Sequence, residues 1–119
     1  MLNNASYYGR VFARSGGVRD AVEEVLRELE IKPEQFQLKP LACSGLEECK
    51  LALLKASKGI LEENFIEGMA CEQGCIGGPG CLTHGPKEKA MVDKYGRLAL
   101  EKKVKDAVVI FDVLGGAEE

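Results

Sequence analysis

The stretch from Cys71 to Gly85 constrains this chain more than any other. Within it lie Cys71, Cys75 and Cys81, spaced by Gly74, Gly77, Gly78, Gly80 and Gly85. Glycine reaches backbone angles closed to other residues, so such a segment curls tightly and extends neither helix nor strand. Cys71 and Cys75 follow directly on the apolar run Asn64 to Ala70, which reads as a strand. Two thiols at the mouth of a strand, with curled backbone between them, can be aimed at one inorganic centre. Thiolates are the preferred ligands of iron–sulfur clusters, and bare glycine amides can approach cluster sulfurs closely. Spacing alone leaves a glycine-rich turn with inert buried thiols as an alternative. Zinc is less well served. His84 is the only histidine and no second pair of close cysteines completes a four-ligand site, so His84 reads as a loop residue.

The flanking segments alternate between helix and strand. Val18, Val22, Val25, Leu26 and Leu29 share one face of a helix opened by Gly16-Gly17 and closed before Pro33. Phe36 to Cys43 reads as a strand that Pro40 assigns to an edge or a bulge. Ser44 and Glu47 have the spacing of a capping box for a second helix, with Leu46, Cys49, Leu53 and Leu54 as its buried stripe and Gly59 as its left-handed stop. Pro86 opens a third helix, expected to reach about Lys103. The apolar run Val108 to Leu114 fits a strand or a docked helix equally well, and residues 1–15 show no clear period. Helices between strands predict an α/β architecture, with a short parallel sheet flanked by helices, in a single domain or domain part spanning residues 1–119.

The remaining features exclude more than they assign. A net charge of −3 gives no reason to expect nucleic acid. No apolar run approaches the roughly 20 residues of a membrane helix, and the opening residues lack a secretion signal. Five cysteines without such a signal suggest reduced thiols or metal ligands in the cytoplasm rather than a disulfide framework. Cys43 and Cys49 read as small buried apolar residues. Lys87 to Asp106 carries an excess of basic residues, either one solvated helix face or a docking face for an acidic partner.

The run Phe65-Ile66-Glu67-Gly68-Met69-Ala70-Cys71-Glu72-Gln73-Gly74-Cys75-Ile76-Gly77-Gly78 resembles the third cluster-binding motif of iron-only ([FeFe]) hydrogenases. Ser15-Gly16-Gly17-Val18 is similar to that family's glycine-glycine-valine helix start. Leu41-Ala42-Cys43-Ser44-Gly45-Leu46 is similar to its strand followed by serine-glycine-leucine, so the likeness spans roughly residues 8–80. The resemblance implies the C-terminal part of a hydrogenase large subunit. In that family a 4Fe–4S cubane linked to a two-iron unit interconverts protons, electrons and hydrogen. By position Cys71 would ligate the cubane, and Cys75 would ligate it and bridge to the two-iron unit. Met69 would pack against that unit, Glu67 would lie on the strand below, and Gly74, Gly77 and Gly78 would line the cofactor.

Nothing in the sequence matches the two earlier cluster motifs of the family. The resemblance therefore implies one part of a longer oxidoreductase chain, inactive alone and without its cluster when isolated. Its partners would be the rest of that chain and a ferredoxin-like electron donor or acceptor. For the isolated part, a loop from Cys71 to Gly85 that is mobile, bound to a stray metal or oxidised to a local disulfide is expected. After Gly78 the family commonly continues with glycine, glutamine and proline, whereas this chain has Pro79-Gly80-Cys81-Leu82-Thr83-His84, similar to a divergent branch. Cys81 would be a free thiol, a replacement proton relay or a recruited ligand. The alternatives are a non-catalytic hydrogenase-like sensor or assembly factor, and a plain docking module.

Overall fold

The structure, a computed structural model, describes residues 5–115, with side chains through residue 109. Residues 1–4, part of the opening read above for a secretion signal, lie outside the described residues. In chain order the elements are α1 (Tyr7–Arg10), α2 (Gly17–Glu28), β1 (Pro40–Ser44), α3 (Leu46–Ser57), β2 (Phe65–Met69), α4 (Pro86–Arg97) and α5 (Val104–Gly115). A single 3₁₀ turn, Cys75–Gly77, interrupts the loop between β2 and α4.

β1 and β2 pair in parallel, with Pro40 opposite Phe65 and Ser44 opposite Met69. α3 forms the crossover that parallel pairing requires. This is the expected α/β arrangement. Pro40 occupies the first position of β1, where its missing N–H does least harm to the ladder. The strand is accordingly shorter than the Phe36–Cys43 run expected: Phe36 donates its N–H to the Lys32 carbonyl in a turn and is half exposed.

α2 and α3 end alike. Ile60 N–H reaches the Lys55 carbonyl and Gly59 N–H reaches that of Ala56, with Gly59 at φ +69°. This is the expected left-handed stop. At the end of α2 the same pair of bonds forms around Glu30, at φ 57° despite its side chain.

The core is small and made of small residues. Val11 is fully buried, and Ala21, Cys43, Ala52 and Ala99 are nearly so. Residues 1–15 show no clear period in sequence and read as an entry segment. In the structure Ser6 caps α1 by accepting a hydrogen bond from the Gly9 N–H, and Val11 at the end of α1 becomes the core's centre. α1 lies so close to α4 that a Cβ at Gly96 would overlap the Tyr7 ring.

Three further expectations are corrected. Leu46, Leu53 and Leu54 do not form a buried stripe: all three are exposed, and α3 instead buries Ala52 and half-buries Cys49 against the sheet. A sheet two strands wide covers only a narrow strip of a helix. The Ser44–Glu47 capping box is also absent. Gly45 takes the cap position at φ 91°, Glu48 accepts the Ser44 N–H at 2.7 Å, and the Ser44 hydroxyl turns to the cysteine loop. Finally, the third helix stops at Arg97 and a separate α5 begins at Val104. The Glu28 carboxylate of α2 accepts the N–H groups of Val104 and Lys105, supplying from a distance the cap that starts α5. The run from Val108 to Leu114 is thus helical.

Candidate functional site

The site forms where β2 leaves the sheet. Glu67, buried in the middle of β2, has its carboxylate at the start of α2, where Oε1 accepts the Gly16 N–H and Oε2 the Arg19 N–H, both at 2.6 Å. Helices leave their first amides without internal partners, and a carboxylate there also suits the helix dipole. Gly16 adopts φ +86° to present its N–H. Expected among the cofactor-binding residues, Glu67 has both oxygens engaged by α2 and braces the strand that carries the loop.

Met69, half-buried, closes β2, and its carbonyl accepts the Gly45 N–H at 2.8 Å. The chain then turns three times in succession. Gly74 N–H bonds the Cys71 carbonyl at 3.0 Å, Gly77 N–H bonds that of Gly74, and Gly78 N–H bonds that of Cys75. Cys71 and Cys75 thus sit at the heads of adjacent tight turns. Gln73, between them, is left-handed at φ 68°.

These turns rest on a seat made by earlier parts of the chain. Ser15 N–H donates to the Gln73 carbonyl at 2.9 Å, Ile76 N–H donates to the Ala13 carbonyl at 3.1 Å, and Gln73 N–H donates to the Ser44 hydroxyl at 2.7 Å. The fit is close: a Cβ at Gly74 would strike the backbone of Ala13 to Ser15, and one at Gly77 would overlap the Glu72 carbonyl. A Cβ at Gly78 would come within 3.3 Å of the Cys71 sulfur. Backbone hydrogen bonds fix the loop, and all five cysteines are free thiols.

Cys75 is exposed, while Cys71 and Cys81 are half-buried. The Cys81 thiol points back to the Cys75 carbonyl at 3.2 Å, and His84 Nε2 lies 2.7 Å from the Gly78 carbonyl, so its ring donates there. Cys43 is buried in β1, which pushes its thiol pKa up, and Cys49 turns its thiol to the Met69 carbonyl. Both stand apart from the loop thiols as structural groups. Among the described residues no three His, Cys, Asp or Glu side chains come together to hold a metal ion. The donor chemistry of Cys71 and Cys75 suits an iron–sulfur cluster, but two thiolates do not complete one.

The seat has an electrostatic anchor that the sequence did not reveal. Arg14, nearly buried, pairs with Asp20 of α2 at 2.9 Å and with Asp93 of α4. Burial opposes the Arg14 charge, yet the hydrogen bonds to Asp93 and Asp20 prevail and raise its pKa. Burial likewise works against Asp20, and its bonds to Arg19 and Arg14 outweigh it to lower that carboxyl's pKa. An arginine set among the apolar residues Val11, Phe12 and Ala13, shortly before Gly16-Gly17, was the sequence sign of this anchor. Beside it opens a pocket of about 410 Å³ lined by Ser15, Arg19, Ser44, Gln73 and Lys89. It lies at the carboxyl end of β1, the usual side for ligands of parallel sheets.

A family model described as iron only hydrogenase large subunit, C-terminal domain, matches residues 1–79. The chain belongs to that hydrogenase family. The match contains Cys71, Cys75 and the seat residues Ala13, Ser15 and Ser44, and it ends at Pro79, ahead of Cys81, His84 and the anchor residue Asp93. Membership makes the chain a relative of iron-hydrogenase oxidoreductases, a family whose full-length members carry iron–sulfur cofactors. A search among curated proteins finds no match. Among the described residues, no helix of this hydrogenase relative is long and apolar enough to cross a membrane.

Proposed function

We propose that residues 71–85 form a cluster-binding loop, in which Cys71 and Cys75 supply two of the protein ligands of the hydrogenase active-site cluster. The cluster is a 4Fe–4S cubane linked to a two-iron unit. The remaining ligands come from the rest of a longer polypeptide, to which residues 1–119 contribute a C-terminal domain part. When bound, the cluster supplies the reversible interconversion of protons, electrons and hydrogen. This chain's residues perform the holding. The brace from Glu67 to α2 fixes where β2 ends, and the three loop turns set the two thiols at neighbouring corners. Gly74, Gly77 and Gly78, without side chains, let the turns close tightly on Ala13–Ser15 and Glu72 and so hold the backbone beside the two thiols where the cluster would sit. Met69, at the end of β2, would pack against the two-iron unit. Alone the chain is inactive. In the complete protein electrons pass to or from a ferredoxin-like carrier in the cytoplasm.

The observation that supports this reading is the loop's dependence on its seat: of the four cysteines within the family match, Cys71 and Cys75 are the two borne on the tight turns. The test is anaerobic reconstitution of the longer polypeptide with iron and sulfide. The Cys71→Ala and Cys75→Ala variants should each lower bound iron and change the electron paramagnetic resonance spectrum of the reduced cluster. Full iron content with both cysteines replaced would sink the proposal.

A second reading, a non-catalytic hydrogenase-like sensor or cluster-assembly factor, draws on the point where the match ends. Beyond Pro79 the Cys81 thiol folds back onto the Cys75 carbonyl. A fully metallated parent that evolves no hydrogen from a strong reductant would select this reading over catalysis.

A further inference from the structure

Between α1, α2, α4 and the link to α5 lies an open pocket of about 390 Å³. Tyr7, Tyr8, Arg27, Arg97, Lys102 and Lys103 line it, together with a single carboxylate, Glu24. That carboxylate is already matched. Both its oxygens receive the Arg27 guanidinium, and the Tyr8 hydroxyl donates to it at 3.2 Å. Glu28, one turn further along α2, is committed to the first amides of α5. Lys102 gives one donor to the Ala99 carbonyl at 3.0 Å and keeps two more. Arg97, Lys102 and Lys103 therefore bring three positive charges to one basin, in a chain whose net charge is −3.

Like charges gathered in one basin repel one another. A compact polyanion would turn that repulsion into attraction. Phosphate suits the donors present, since guanidinium meets it with two parallel hydrogen bonds and ammonium meets it as a point charge. The pocket volume falls in the range of small-ligand sites, about 300–1,000 Å³. It is concave, which suits a small ligand better than the surface of a folded protein. Tyr7 and Tyr8, edge to face with ring centroids 5.2 Å apart, form an aromatic wall beside the cations.

We propose that this pocket binds an oligophosphate, a run of two or three linked phosphates, either free or as the tail of a nucleotide. The inference is independent of the cluster-binding role, and its test needs no iron. The 119-residue chain is titrated separately with sodium tripolyphosphate and with ATP, by calorimetry and by amide chemical shifts. Shifts should centre on the pocket residues. The Arg97→Gln/Lys103→Gln variant should weaken binding at least tenfold, whereas Lys50→Gln/Lys58→Gln, an equal charge change on and just after α3, should leave it within twofold. Equal affinity for the two probes would assign recognition to the phosphates, and tighter ATP binding would add a base contact on the tyrosine wall; both outcomes uphold the site. Binding of neither probe, or equal weakening by the two variants, would overturn it.

Discussion

Glu67 holds the backbone amide of Gly16 at 2.6 Å across fifty-one residues of sequence. The strand that delivers the cysteines is thereby locked to the helix beside which they lie. Glu67→Gln keeps the size but turns one acceptor into a donor that faces an N–H. The loss should be about 1–3 kcal/mol in urea denaturation. Unchanged stability would mean that α2 does not depend on this carboxylate.

Gly77 and Gly80 make a matched pair for testing the loop. A methyl at Gly77 would overlap the Glu72 carbonyl, while one at Gly80 would meet nothing within 4 Å. Gly77→Ala should destabilise the chain by about 1–3 kcal/mol, as overpacking does. It should also speed hydrogen exchange at the Gly77 and Gly78 amides. Gly80→Ala should do neither. Similar behaviour of the two variants would contradict the tight turns described here.

Ser44→Ala removes the acceptor of the Gln73 N–H. The hydrogen bond is exposed, so the expected loss is only about 0.5–1.5 kcal/mol. The sharper readout is local: exchange at the Gln73 amide should rise several-fold while that of the α2 amides stays put. A uniform rise would assign Ser44 to general stability.

Acid should weaken the fold through Asp20 and Glu24. The hydrogen bonds from Arg27 hold Glu24 below the 4.5 of a free glutamate, and those from Arg19 and Arg14 hold Asp20 below the 3.8 of a free aspartate. Carboxyls depressed on folding contribute stability that is complete above their unfolded values and lost as pH falls through the lower folded ones. Thermal melts should therefore be steady from pH 7 to about 5 and fall steeply below 4. Asp20→Asn should flatten part of that fall. A melting temperature unchanged down to pH 3 would remove these pairs from the account.

The sequence was legible where local chemistry decides the structure. Gly59 stops α3, Pro86 starts α4, and the glycines between Cys71 and Gly78 enforce turns whatever surrounds them. It was less legible where a distant group decides. Nothing local in the α4–α5 stretch shows that Glu28 will cap a new helix at Val104, and the pattern from Pro86 reads as a helix running on to about Lys103. The Ser44–Glu47 spacing was correct for a capping box, yet Gly45 took the cap and Ser44 was drawn to Gln73. The leucines of α3 fitted a buried stripe, but their exposure depends on how wide the sheet beneath them is. Val11 follows a single turn of helix, too short to show a period. At the site, the loop and its cysteines could be read from residue types. The seat could not, because Ala13, Ser15 and Gln73 act there through their backbones.

That seat has a consequence for biosynthesis. Ala13, Ser15 and Ser44 all leave the ribosome before Cys71 and Cys75, and so does the N-terminus of α2 that receives Glu67. The surface on which the thiols come to rest is therefore translated ahead of them. Asp93, which completes the Arg14 anchor, follows later, so the sulfurs meet a surface already in place before its last tether arrives.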